Sequence, residues 1–246
     1  MEKAGSIAIK NKSLTFSERF QRYAWILALL IAIGGQFLPH LGLLVPVIML
    51  ILMVMSLHKG KYWCGNYCPH GSLFDHLIKP WSKKLTIPKV LRSKAVMLTV
   101  LAIFMTMIVY RFIHVMNAMD GMNRFAGLGS IFVNIYLMVL ILGGLLALLV
   151  SPRTWCFACP MGTIQSFFHT VGKQIGITQK KEQKIAFRHP DGCHSCGKCE
   201  KVCPVQLSPY KGIIDTQLFD NAYCIKCKTC IQHCPSRTLC LRLQNE

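Results

Sequence analysis

Long apolar runs separated by short charged gaps set the organisation of this chain. From Tyr23 to His58 there is no Asp, Glu, Lys or Arg. That length holds two short membrane spans at roughly 20 residues each. Within it, Leu38-Pro39-His40-Leu41-Gly42 carries the proline and glycine of a tight hairpin tip. A third apolar run covers Ala95 to His114, broken only by Arg111, and a fourth covers Phe125 to Pro152 with no charge. The pattern predicts four membrane helices in two hairpins. Buried helices of a soluble protein would show charged faces between the apolar ones, and these runs show none. The first span is followed at once by a second without a small-residue cleavage site, so it does not read as a cleavable signal. Composition agrees: 52% of the 246 residues are hydrophobic and the mean hydropathy is +0.40.

Charge predicts the orientation. Lys3, Lys10, Lys12, Arg19 and Arg22 precede the first span. The loop between spans two and three adds Lys59, Lys61, Lys79, Lys83, Lys84 and Lys89. The first hairpin tip has no basic residue and the second has Arg124 beside Asp120. The positive-inside rule then puts both termini, the middle loop and all the cysteines on the cytoplasmic side of a bacterial or archaeal inner membrane. Most of the formal +18 is explained this way, and no groove-reading element accompanies it, so nucleic acid is not an expected partner. The lipid bilayer is.

Past the last span the cysteines fall into a doubled run. Cys193, Cys196, Cys199 and Cys203-Pro204 repeat as Cys224, Cys227, Cys230 and Cys234-Pro235. This C-x2-C-x2-C-x3-C-P spacing wraps two [4Fe–4S] clusters, the fourth thiolate of each run crossing to the other cube. Cys193, Cys196, Cys199 and Cys234 are expected to hold one cluster, and Cys203, Cys224, Cys227 and Cys230 the second. Zinc, which favours four ligands as two separated pairs, fits the run poorly.

A second repeat closes each hairpin. Trp63-Cys64, Cys68-Pro69 and Gly71-Ser72 in the first half match Trp155-Cys156, Cys159-Pro160 and Gly162-Thr163 in the second. The membrane part reads as a duplication whose halves face each other. Cys64, Cys68, Cys156 and Cys159 would then meet at the membrane surface. Three roles stay open for them: a third iron–sulfur cluster or other soft metal, a redox-active dithiol in each motif, or structural turns.

Two W-C-x(2,3)-C-P motifs after membrane hairpins, followed by a two-cluster tail, resemble the four-helix membrane iron–sulfur proteins. The nearest group is the membrane component of the quinol dehydrogenase that serves periplasmic nitrate reductase. Membrane polyferredoxins of nitrous-oxide reductase maturation and cytochrome oxidase assembly are similar. The resemblance implies a subunit that takes electrons from the quinone pool and passes them toward a periplasmic reductase, with another ferredoxin-type or cytochrome subunit as partner. A maturation or metal-insertion factor and a redox sensor are the alternatives. No nucleotide-binding glycine motif occurs, so flavin or NAD would belong to a partner. The expected architecture is an all-α membrane domain of four transmembrane helices in two duplicated hairpins plus a small α+β two-cluster bacterial-type ferredoxin domain. Its expected parts are a cytoplasmic N-terminal segment (1–22), the membrane domain (23–172), a linker (173–188) and the ferredoxin domain (189–246).

Weaker signals complete the reading. His40, His114 and Arg111 are candidates for a quinone headgroup near the far ends of their spans, although interfacial placement explains them too. His194 and His233 sit inside runs whose ligand positions are already cysteines and are expected to tune sulfur or face solvent. Cys240 reads as a plain thiol.

Overall fold

The computed structural model describes residues 16–118, 120–178, 182–188, 192–216 and 218–243. The N-terminal basic residues Lys3, Lys10 and Lys12 lie outside them, as do 179–181 of the expected linker.

The apolar runs become helices. α1 (Phe16–Leu29) passes into a π-helical turn (Leu30–Gly34) and a short helix α2 (Gly35–Phe37). Leu29, Gly34 and Gly35 all keep right-handed helical angles through these junctions. A 3-10 turn (Pro39–Leu43) leads to α3 (Leu44–Lys59). The second half holds α6 (Lys94–Ala118) and α7 (Met122–Leu149), after the short helices α4 (Tyr62–Asn66) and α5 (Pro69–Leu73). Among the described residues three helical segments are long and apolar enough to cross a membrane: Pro39–Lys59, Lys94–Ala118 and Asn123–Leu149. The first expected span is not among them: its path changes from α to π to α hydrogen bonding between Phe16 and Phe37, so no one α-helix in it is long, and its first turns carry Glu18, Arg19 and Arg22.

The hairpin tip packs against α7 through two glycines. A Cβ on Gly42 would stand 2.0 Å from the Gly129 carbonyl oxygen, and one on Gly129 would stand 2.0 Å from the Pro39 oxygen. Backbone meets backbone there, which any side chain would prevent.

The two Cys-Pro motifs have the same local structure. α4 and α5 flank Cys68, and α8 (Trp155–Ala158) and α9 (Pro160–Gln174) flank Cys159. Cys68 and Cys159 are each the N-cap of the second helix, with extended backbone angles and Pro at the first helical position. The proline has no N–H to leave unsatisfied and its φ suits a helix start, so Cys-Pro terminates one helix and begins the next. A core of Ala28, Leu73, Phe74, Phe104, Ala147 and Trp155 ties the two halves together.

The C-terminal part is α+β. β1 (Gln183–Phe187) is the middle strand of an antiparallel sheet ordered β2-β1-β3, with β2 at Leu218–Phe219 and β3 at Leu239–Leu243. β1 pairs Phe187 with Leu239 and Ala186 with Cys240, placing Cys240 in a strand. Strand β1 falls in the segment expected as a linker. Ile185, Ala186 and Phe187 in Gln183-Lys184-Ile185-Ala186-Phe187 are buried, a short apolar signal hidden by the surrounding lysines. The helices α10 (Lys198–Lys201), α11 (Pro209–Thr216) and α12 (Thr229–Gln232) complete this part.

Candidate functional site: three cysteine-lined cavities

Twelve of the thirteen cysteines gather in three quartets, each around one cavity. Cys64, Cys68, Cys156 and Cys159 line a cavity of about 120 Å³. Cys193, Cys196, Cys199 and Cys234 line one of about 80 Å³. Cys203, Cys224, Cys227 and Cys230 line one of about 20 Å³. The fourth cysteine of each C-terminal run thus crosses to the other run's cavity. Among the described residues no three His, Cys, Asp or Glu groups are arranged to hold one metal ion. The thiols surround a volume rather than converge on a point, which suits a polynuclear centre better than a tetrahedral zinc.

The thiol environment points the same way. Burial, reinforced by Cys156, pushes the Cys68 thiol up to about 11 and the Cys159 thiol up to about 12. Cys64 is likewise driven well up by burial and by Cys68, Cys156 and Cys159 around it. In the ferredoxin part burial and neighbouring thiols raise Cys224 to about 11 and raise Cys230 further. Four thiolates are stable in such a pocket when a cationic core lies between them. Cys234 differs: burial pushes it up, but hydrogen bonds from Thr238 and Ser236 outweigh this and bring it to about 7.

Buried polar side chains hold the quartet of Cys64, Cys68, Cys156 and Cys159 together. Arg153 is fully buried and reaches both halves. Its Nε donates to Asp75 Oδ1 at 3.1 Å and its Nη2 to Asp75 Oδ2 at 2.5 Å. Its Nη1 donates to the Cys64 carbonyl at 2.9 Å and faces Cys156 Sγ at 3.7 Å. Gln165, also fully buried, places Nε2 3.3 Å from Cys64 Sγ, and the Gly71 N–H donates to Cys68 Sγ at 3.4 Å. Trp155 Nε1, in the cavity wall, is buried without a hydrogen-bond partner among the described residues.

Above the sulfurs the same cavity is walled by membrane helices, through Val45, Met49 and Leu52 of α3, Phe104 of α6, and Phe132 and Tyr136 of α7. His70 Nε2 lies 3.3 Å from the Tyr136 carbonyl, to which it donates, and the two rings stand 4.4 Å apart. Burial lowers His70 to about 4, so its imidazole is neutral and Nδ1 keeps a lone pair.

The first motif also touches the ferredoxin part. A Cβ on Gly65 would stand 2.1 Å from the Ile225 oxygen and 3.1 Å from the Cys227 nitrogen. Asn66 Nδ2 donates to the Lys226 carbonyl at 3.3 Å, and Lys226 Nζ to the Lys59 carbonyl at 3.0 Å. Cys64 packs on the hydrophobic core that includes Cys199, Cys230 and Ile225, so one apolar core touches all three quartets. From the ferredoxin part, Gln206 Nε2 donates to the Leu85 carbonyl and Tyr223 Oη to the Arg92 carbonyl of the middle loop, at 2.8 and 2.6 Å.

Other expected residues fall elsewhere. His40, Arg111 and His114 are exposed and do not line the cysteine cavity. His194 lines the Cys193 cavity, and His233 Nδ1 contacts its own helix at the Thr229 carbonyl. Sequence reasoning missed Lys61 and Arg153, both buried. A signal was present: each is a basic residue three positions before the first cysteine of its motif.

Comparison with known proteins follows the same division. A 4Fe-4S binding domain matches twice, at residues 41–88 and 133–178. A 4Fe-4S dicluster domain matches residues 185–235. Two uncharacterized proteins of Methanocaldococcus jannaschii are 21% and 23% identical over 78% and 77% of this chain, and over 76% and 68% of their own lengths. A third relative, YccM of Escherichia coli K12, provisionally named an electron transport protein, is 24% identical over 86% of this chain and 59% of its own length. No solved structure matches. Domain matches, relatives and three cysteine-lined cavities converge: the chain is an iron–sulfur electron-transfer protein with 4Fe-4S ferredoxin-type domains and membrane-type helices.

Proposed function

We propose that this protein is a membrane-bound quinol-oxidising subunit that carries electrons through three [4Fe–4S] centres toward a respiratory reductase. The observation that carries the reading is the shared cavity of Cys64, Cys68, Cys156 and Cys159, with thiols at its base and membrane helices as its upper walls. The proposed ligand sets are the three quartets. A bound cluster supplies one-electron redox chemistry at each. The chain's own residues do the rest. Arg153, Gln165 and the Gly71 N–H hold the first quartet's sulfurs and loop in place. The apolar walls suit a quinol ring, and the neutral His70 of the lining keeps a ring nitrogen free to accept from its hydroxyl.

The close approach of Gly65 to Ile225 and Cys227 supports an order of centres: membrane-surface quartet, then the Cys203 quartet, then the Cys193 quartet, whose Cys196 is exposed to a partner. The helical path Phe16–Phe37 serves as the fourth span, because its π turn keeps helical backbone throughout. The two copies of the 4Fe-4S binding domain support duplicated hairpins. The basic middle loop supports a cytoplasmic ferredoxin side in a prokaryotic inner membrane, with a ferredoxin-type or cytochrome subunit as the next acceptor.

The test is quinol-dependent bleaching of the iron–sulfur absorbance in anaerobic membranes holding the full chain. Reduction by a naphthoquinol is expected in the native protein and lost in Cys64→Ser. Bleaching by dithionite but by no quinol would reject the reading.

A further inference from the structure

A second, polar cavity of about 150 Å³ adjoins the cysteine cavity and has no part in holding sulfur at the membrane surface. The two meet at one wall. Cys64 and Gln165 face the cysteine cavity, while Lys61 and Ser166, from the same two helical turns, face the polar one. Gln165 and His169 are one turn apart on α9, so a single helix edge runs from one cavity into the other.

Inside, His169 Nε2 lies 3.0 Å from Glu182 Oε1, which also receives Lys226 Nζ at 2.7 Å. Glu182 is 2% exposed, yet its Oε2 has no hydrogen-bond partner among the described residues. The space is polar and large enough to hold several ordered waters. The far end opens at Lys173 and Asp220, whose side chains are 39% and 53% exposed. The other ionisable groups facing the space are Lys61, Lys184 and Cys224.

Resting on the quinol reading above, we propose that this cavity is the proton exit: His169, oriented by its hydrogen bond to Glu182, and the water of the cavity carry protons from the cysteine cavity to the ferredoxin side. The step balances. A quinol loses two electrons and two protons to become a quinone. The electrons go singly to two oxidised iron–sulfur centres of this chain, and the protons pass in turn to the water of the polar cavity and leave at Asp220. Proton release then occurs on the face that carries the ferredoxin part. Without such a path the protons would be trapped under apolar helices, beside buried sulfurs that already disfavour charge.

The test compares reduction of the full-length protein in liposomes by menadiol, a soluble naphthoquinol, with reduction by dithionite. His169→Gln keeps a side chain able to hydrogen-bond Glu182 but cannot pass a proton at neutral pH. It is expected to slow menadiol-driven bleaching by at least about tenfold while leaving dithionite bleaching unchanged. His169→Ala is expected to be equally slow and to recover when free imidazole is added. Native menadiol rates in His169→Gln would overturn the proposal, as would an Ala variant that imidazole does not restore. Native protein bleached by dithionite and never by menadiol would instead overturn the quinol reading, and this inference with it.

Discussion

Arg153 is the residue on which the site of Cys64, Cys68, Cys156 and Cys159 depends most. It is fully buried, paired with Asp75 in the first half and in contact with a backbone carbonyl and a thiol from the two motifs. Removing one partner of a buried pair leaves the other charge uncompensated, a cost of about 3–5 kcal/mol. Arg153→Gln should lower the thermal midpoint of the detergent-solubilised protein clearly, and Arg153→Lys should recover only part, because a point charge cannot hold Asp75 through two nitrogens. Equal melting of Arg153→Gln and the native protein would contradict this role. The cysteines were legible in the sequence because ligand spacing is local. Arg153, Gln165, His169 and Glu182 were not, because their roles arise from contacts across the fold: Arg153 reaches Asp75 over 78 positions and Gln165 reaches Cys64 over 101. His40 and His114 drew notice as polar residues at apolar ends, while His70, inside the first motif, is the histidine that lines the cavity.

Between elements, the decisive contacts are backbone against backbone. The hairpin tip crosses α7 where Gly42 meets Gly129, and Gly42→Ala would drive a Cβ to 2.0 Å from a carbonyl oxygen. The helices must separate to relieve it, costing about 1–3 kcal/mol. The expected result is a lower melting temperature with ferredoxin-type spectra intact; a native melting curve would refute it. At the other end Gly65→Ala should push the first motif off the Ile225–Cys227 loop. Dithionite should still reduce every centre, while quinol-driven reduction of the ferredoxin pair slows by at least about tenfold, since transfer depends on the distance this glycine permits. Unchanged quinol-driven kinetics would remove Gly65 from the path. Apolar run lengths announced the long helices, and the Cys-Pro pairs announced the turns after them. The π turn in the first run and strand β1 were hidden, because a π turn has no composition of its own and β1 owes its existence to pairing with β2 and β3.

Taken whole, the molecule joins its apolar helices to the α+β part through cysteine-lined packing. Cys64 sits on the core that also contains Cys199 and Cys230, so the three quartets share one packed interior rather than three independent sites. The first of these draws on both matches to the 4Fe-4S binding domain, each of which brings two thiols to the cavity and has one buried basic residue beside them. The central claim is that this quartet binds a cluster of its own. An anaerobic iron and acid-labile sulfide count on the purified full-length protein tests it most directly. The account predicts about twelve of each per chain, falling to about eight in Cys64→Ser with the ferredoxin EPR signals retained. About eight irons in the native protein, unchanged by Cys64→Ser, would contradict it.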